Sequence, residues 1–445
     1  MHDCRPHLWV ITELYYPEET STGRILTEIA EGLAARYYVR VLCGQPTYSL
    51  RGAKAAKREQ RNSVEVHRCW GTTWNRLVLP LRLCNLLTLC CSLFLNVLFR
   101  VRRQERVLVV TNPPLLPFLV ALACRLRGVN CFLLIHDVYP EAAVVAGMMK
   151  PDTLVFQVLN YCTCWLYRSV VRIIVLGRDM EKSVAKKLGA AREKTVIITN
   201  WADLDVVYPV SRAENQLLKR GGLSKKFVAQ YAGNMGRTHN IEMVLECATR
   251  LRHREDIHFL MIGSGAKKAW LKKSVQERKL TNVSIVSPCP RSELCDFLNA
   301  CDVSIIPFVS GMAGVSVPSR MYNVLAAGKP IIAAADRESE LAQVMEEEQV
   351  GWVVPPDDVD AFVNVILEAR NSAHLRAEMG RRAREAAERK YDPDRVVEQF
   401  AATIGGFGVS SVPEPKMDQF RQKRANTRWP AAHASVPRVW PSSRS

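Results

Sequence analysis

Residues 311–335, GMAGVSVPSRMYNVLAAGKPIIAAA, read as a loop, a helix start, a helix and then a buried strand, and the rest of the chain is organised around them. Pro318 lacks the N–H that would go unsatisfied in a first helical turn, so it fits there without losing a hydrogen bond. Ser316 and Ser319 are candidate caps. Open amides and the positive end of the helix dipole at such a start suit a diphosphate, at roughly 0.3 to 2 kcal/mol per charge. Arg320 adds a forked cation beside them. Tyr322 and Asn323 on the next turn complete the candidate ligand-binding set. Gly328 closes the helix, Pro330 prevents its resumption, and IIAAA is small and apolar enough for a strand covered on both faces. An ordinary loop, helix and strand without a ligand satisfies the same pattern.

Outward from this stretch the chain alternates strand, turn and helix in two successive runs, which predicts an α/β protein of two Rossmann-like domains, each a doubly wound parallel sheet, facing a cleft. In the first run the expected strands are 8–12, 39–42, 64–68, 107–110, 131–136, 171–176 and 195–198, with helices at 24–36, 117–127 and 153–167 and another ending at 188. Ser21 or Thr22 is the expected N-cap of the first helix, and Gly23 is placed to bring backbone close to a ligand. The second run begins near Phe227, after SRAENQLLKRGGLSKK, whose charges and paired glycines suit an interdomain linker. Its strands fall at 283–286 and 303–306 besides those in FVAQYAGNMGR, FLMIGSGAKKAW, IIAAA and GWVV, with helices at 241–251, 338–347, 359–390 and 393–403. The expected organisation is a first domain 1–208, a linker 209–226, a second domain 227–390, a crossover helix 391–404 and a disordered basic tail 405–445.

A chain of 445 residues exceeds the size at which one core usually stops growing. Apolar residues at 48% and charged residues at 24% exclude wholesale disorder. The net charge of +17 favours an anionic partner: nucleic acid, an acidic membrane or a phosphorylated substrate. No segment interleaves aromatic and basic residues as a nucleic-acid-binding sheet does, so nucleic acid is not expected. The 14 cysteines lack paired zinc-finger spacing and read as reduced thiols. Nothing at the start of the sequence reads as a secretory signal, and a cytoplasmic location is the default expectation.

One segment, residues 83–99, LCNLLTLCCSLFLNVLF, carries no charge. Asn85, Thr88, Ser92 and Asn96 fall on one helical stripe and leave the remaining surface apolar. With Arg76 and Arg82 before it and Arg100, Arg102, Arg103 and Arg106 after it, the helix near 81–103 is expected to lie in the plane of an anionic membrane surface. A soluble core helix and a transmembrane span are the alternatives. The tail from Gly405 holds seven Lys and Arg against two acids, which permits a tether to an anionic surface, but a solvated tail without a role is the favoured reading.

PSRMYNVLAAGKPIIA resembles the nucleotide-binding segment of the retaining glycosyltransferases of family 4, in the branch of colanic acid and O-antigen biosynthesis, and HDVYPE at 136–141 resembles a second signature of that branch. The resemblance implies the GT-B fold and a donor that is a nucleotide-diphosphate sugar, UDP- or GDP-linked. It implies a lipid-linked saccharide acceptor at the cytoplasmic membrane face. Most of the family carries E-x7-E; the aligned positions here are Val315 and Asn323, and Asn323 can still hydrogen-bond a ribose. Gly23 and Arg24 match a glycine loop near the donor. Gly233, Asn234, Gly236 and Arg237 match the turn that holds the diphosphate, where Asn234 and His239 replace the family's cations. Gly263, Ser264 and Gly265 form a further glycine turn. On this reading Arg237 and Arg320 stabilise the departing diphosphate. His136 hydrogen-bonds sugar or acceptor, and Asp137 or Glu141 takes the acceptor proton. Three D-x-D triplets, at 203–205, 358–360 and 392–394, read as chance matches, two of them at helix starts, so no metal is expected. A sugar-nucleotide epimerase of the same fold and a non-catalytic subunit that recruits a partner are the rival readings.

Overall fold

The computed structural model describes residues 5–46, 55–75, 78–288 and 291–406; Arg76 and the tail from 407 lie outside them. The described chain divides into two compact units, one built from the residues up to Pro140, Pro151–Thr199 and Asp394 onward, the other from Glu141–Lys150 and Asn200–Pro393.

In chain order the first unit holds β1 (His7–Ile11), α1 (Ser21–Leu33), β2 (Tyr38–Cys43), β3 (Arg58–Arg61), β4 (Val64–Arg68), α2 (Leu79–Arg100), β5 (Arg106–Val110), α3 (Leu116–Arg127) and β6 (Asn130–Leu134). After the short α4 (Glu141–Val145), which clusters with the second unit, come α5 (Leu154–Ser169), β7 (Arg172–Val175), α6 (Arg178–Leu188) and β8 (Thr195–Ile197). The eight strands lie in the order β3-β4-β2-β1-β5-β6-β7-β8. All neighbours are parallel except β3, an antiparallel edge strand whose charged residues REQR gave no strand signal. β5, RVLVV, is buried along its whole length, as a strand with helices on both sides must be.

α1 begins earlier than the sequence suggests. Its N-cap is Thr20, whose hydroxyl accepts from the Gly23 amide at 3.2 Å, and neither Ser21 nor Thr22 caps it. Gly23 is needed for packing inside the chain, because a Cβ there would sit 2.8 Å from the Glu18 carbonyl oxygen. On α2 the polar stripe turns inward: Asn85 both accepts from the Trp74 amide and donates to its carbonyl, at 3.0 and 2.9 Å, and the Thr88 hydroxyl lies 2.9 Å from that of Thr72.

The second unit continues with α7 (Gln216–Arg220), β9 (Phe227–Asn234), α8 (Ile241–Arg250), β10 (Ile257–Ser264), α9 (Lys268–Glu277), β11 (Val283–Val286), α10 (Leu294–Asn299) and β12 (Val303–Pro307). It closes with α11 (Arg320–Ala326), β13 (Ile331–Ala334), α12 (Glu340–Glu348), β14 (Gly351–Val354), α13 (Val359–Asn371) and α14 (Ala373–Lys390). Its six strands run β11-β10-β9-β12-β13-β14, so the winding reverses between β9 and β12. Alternate residues feed two cores: Phe259 and Met261 pack with α8 and α13, whereas Leu260 and Ile262 pack with Val228, Leu217 and Leu218. Leu217 and Leu218 belong to α7, so the segment expected to be a linker is packed into this unit, with the Asn215 side chain capping the helix. The last helix, α15 (Pro393–Gly405), clusters from Asp394 onward with the first unit, where the Tyr37 hydroxyl donates to the Ala401 carbonyl at 3.1 Å.

Candidate active site

In an open parallel sheet, loops at the carboxyl ends of the strands diverge where the winding reverses, and the space between them is open to a ligand. In the second unit that point falls between β9 and β12, and the expected glycine turns and Arg320 lie there. β9 ends in Gly233 and Asn234, paired in register with Gly263 and Ser264 of β10. The Met235 amide donates to the Ser264 carbonyl at 2.7 Å, and the Lys267 amide to the Met235 carbonyl at 3.0 Å, so the two glycine turns are stapled together. The turn after β9 is also tied to β12, through Asn240 N–H to the Pro307 carbonyl and Val309 N–H to the Thr238 carbonyl.

Arg320, at the start of α11, reaches across this frame. Its guanidinium carbon lies 4.7 Å over the Tyr231 ring, Nη2 is 2.8 Å from His239 Nε2, and a Cβ on Gly233 would sit 2.8 Å from that carbon. Since Nη2 can only donate, His239 Nε2 accepts and its ring is neutral. Burial, then the charges of Arg320 and Lys267, hold the His239 pKa well below its usual range, in agreement. Nη1 of Arg320 is buried and has no hydrogen-bond partner, and no carboxylate pairs with this cation among the described residues. Arg320 is half-buried, and a guanidinium nitrogen buried without a partner is costly in the folded protein; an anion that arrives from outside would satisfy it.

Two further cations stand at the same turns, and sequence reasoning missed both. Lys267 Nζ donates to the His239 carbonyl at 2.8 Å and pairs with Glu242, and Lys268 Nζ donates to the Gly263 carbonyl at 2.7 Å. Burial and then Lys272 lower the Lys268 pKa. The run GSGAKK, a glycine turn followed at once by two lysines, was the available signal. Arg237 is exposed and makes no ion pair or hydrogen bond with a described residue.

The loop before α11 differs from the expected cradle of open amides. Gly311 and Ala313 donate to one oxygen of Asp336, at 3.0 and 3.1 Å, so an internal carboxylate already occupies them. Pro318 lies outside the helix, its carbonyl accepting from the Met321 amide at 3.0 Å, and Ser319 holds the N-cap position without a side-chain cap bond. α11 has seven residues, two turns, and contributes little dipole. At this helix start the charge available to an anion is therefore that of the Arg320 side chain more than of the helix dipole.

Tyr322 and Asn323 turn away from a ligand role. Tyr322 is fully buried, edge-on to Tyr391 with ring centroids 4.8 Å apart. Asn323 Oδ1 accepts from the Asp203 amide at 2.8 Å, and Val315 is buried with the apolar core. The positions aligned with the two glutamates thus serve the interior. Asn323→Ala should lower unfolding free energy by about 1 to 2 kcal/mol in a urea titration, the cost of leaving a buried amide unsatisfied.

The remaining candidates lie elsewhere. Arg24 pairs with Glu28 at 3.7 Å within α1. The HDVYPE signature is shared between units, with His136 and Asp137 in the first and Glu141, which opens α4, in the second. Burial pushes the His136 pKa down to about 4, so the imidazole is neutral and suited to hydrogen bonding more than to proton uptake. Asp137 is half-buried and, after burial itself, is the next cause raising the Tyr139 pKa to about 12. Of the D-x-D residues, Asp203 pairs with Arg291, Asp358 caps α13 by accepting from the Ala361 amide at 2.8 Å, and Asp360 pairs with Arg250. Among the described residues no three His, Cys, Asp or Glu side chains converge as metal ligands do.

Two doubly wound α/β units with parallel sheets define the class: the GT-B fold. Residues 21–201 match the model of the glycosyl transferase 4-like domain, and residues 214–386 that of glycosyl transferases group 1. The probable glycosyltransferase WbjE of Pseudomonas aeruginosa is 34% identical over 305 residues, 68% of this chain and 75% of that protein. The putative colanic acid biosynthesis glycosyl transferase WcaI of Escherichia coli is 28% identical over 407 residues, 88% of this chain and 98% of its own. Among solved structures, Anabaena Alr3699/HepE in complex with UDP superposes with a TM-score of 0.66 at 15% identity, covering 90% of this chain and all of that one. The chain belongs to the GT-B glycosyltransferases and is a transferase enzyme.

Proposed function

We propose that the protein transfers a sugar from a nucleotide-diphosphate donor, UDP- or GDP-linked, with retained anomeric configuration, to a lipid-linked saccharide in cell-surface polysaccharide biosynthesis. The observation that carries this is the Arg320 guanidinium, cationic, unpaired at Nη1 and seated on Gly233 at the reversal of the second sheet. Breaking a glycosyl phosphate bond leaves charge on the diphosphate, and a fixed cation there lowers the barrier without rearranging. Exposed Arg237 would join it on a bound donor, with Gly236, Gly263, Ser264, Gly265 and Ser316 offering backbone and hydroxyl groups around the phosphates. Departure and attack on one face require no protein nucleophile; Asp137 or Glu141 would take the acceptor proton.

UDP is supported by the Anabaena neighbour, solved with UDP and also with UDP-glucose, and polysaccharide biosynthesis by the name of the Escherichia coli relative. A lipid-linked acceptor and attachment to the cytoplasmic membrane face are supported by α2, the one described helix long and apolar enough to cross a bilayer. The test is to incubate the purified protein with UDP- and GDP-sugars and lipid-linked acceptors in EDTA, and to weigh the products. Acceptor-dependent release of nucleoside diphosphate is expected. Turnover without acceptor would instead indicate an epimerase, activity only after added magnesium or manganese would defeat metal independence, and no release with any donor would leave a recruiting subunit.

A further inference from the structure

The helices α2, α3 and α5 carry their polarity the wrong way round for a surface that meets only water. They connect β4 to β5, β5 to β6 and β6 to β7, always stepping the same way across the sheet, so right-handed crossovers lay them side by side on one face. α3 packs against both α2 and α5. Of the eighteen exposed large apolar side chains among the described residues, twelve lie on these three helices. Leu87, Leu95 and Phe99 of α2, Leu126 of α3, and Leu154 and Val158 of α5 are 48 to 76% exposed. Outward-facing helices of a soluble sheet protein normally present charge there.

The charge sits at one edge instead. Near the C-terminal ends of α3 and α5 lies a cavity of about 190 Å³ lined by Arg125, Tyr161, Trp165, Arg168 and Ser169. Neither arginine side chain has an ion pair or hydrogen bond to a described residue. Lys194, whose Nζ donates to the Arg168 carbonyl at 2.8 Å, adds a third cation at this edge.

We propose that this cavity holds the phosphate of an anionic glycerophospholipid while the surrounding apolar face rests in the bilayer. Two unpaired guanidiniums give the forked donors that a phosphate takes, and the cavity suits one phosphate group better than a saccharide chain. Tyr161 and Trp165 are the aromatic types that settle at headgroup depth, and the apolar helices continue from there. The proposal rests on the reading that the enzyme works at a membrane.

The test is flotation of the full chain with vesicles of phosphatidylcholine alone or mixed with phosphatidylglycerol. Wild type is expected to float with the mixture. The double variant Arg125→Gln/Arg168→Gln should bind it about tenfold or more weakly, and each single variant by an intermediate amount. Both side chains are exposed, so the variant should fold, which circular dichroism checks. Lys272→Gln/Lys273→Gln, which removes the same charge from α9, should bind as wild type. Equal binding by the arginine variant, or an equal loss in the lysine control, overturns the phosphate site while leaving membrane attachment in place. Failure of wild type to float with either vesicle overturns both.

Discussion

Arg320→Ala is expected to lower turnover by about 10² or more while the unfolding temperature stays level or rises. The two halves of this result come from one cause. In the folded protein the guanidinium is held against the Tyr231 ring and beside a neutral His239, with Nη1 buried and unsatisfied and no carboxylate among the described residues to pair with. Removing such a cation relieves a desolvation cost, so alanine should not weaken the fold. It also restores His239 toward its usual titration, since burial and then Arg320 depress that pKa. With donor bound the sign reverses. The same cation faces charge that grows as the glycosyl bond breaks, and its loss should appear in kcat as well as in kcat/KM. A structural arginine would show the opposite pattern, with stability lost and the residual activity of the folded fraction unchanged. Steady-state kinetics and a thermal melt on one preparation separate the two, and an unchanged kcat would end the assignment of Arg320 to the leaving group.

The alternation of strands and helices was legible because parallel strands buried on both faces are continuous apolar runs, of which RVLVV and VSIIP are examples. β3 was not, since an exposed edge strand need not be apolar and takes its pairing from β4. The segment 209–226 misled for a different reason. Its charges and glycines are those of a linker, and among its residues only Leu217, Leu218 and Leu223 join the core cluster. At the site, the glycine turns and Arg320 could be read from residue type, because a turn that admits backbone closely needs glycine. What Asn323 and Tyr322 face could not, since helix periodicity does not say which neighbour a side chain meets. Nor could the Asp336 carboxylate on the Gly311 and Ala313 amides, a bond between loops on two different strands.

Gly263→Ala is expected to cost about 3 kcal/mol or more of folding free energy, close to the largest effect a single substitution has. The residue has φ +149°, and a Cβ there would lie 1.9 Å from the Gly233 carbonyl oxygen. Neither atom can step aside. Gly263 and Gly233 are partners in a parallel ladder that runs from Ile257 to Ser264, and the next link, Met235 N–H to the Ser264 carbonyl, is 2.7 Å. Relief would require breaking that ladder at its carboxyl end, where the site is built. Gly233→Ala meets a different obstacle. Its φ of +147° brings strain of about 1 to 3 kcal/mol, but the atoms its Cβ strikes are the guanidinium of Arg320, the far end of a flexible side chain. That variant should therefore fold more stably than Gly263→Ala and resemble Arg320→Ala in kinetics, because the cation is displaced from its seat. Urea titrations of both variants, with turnover measured on the folded fraction, test the distinction: equal stability losses, or a Gly233→Ala enzyme with wild-type turnover, would mean that this glycine does not serve to seat the cation.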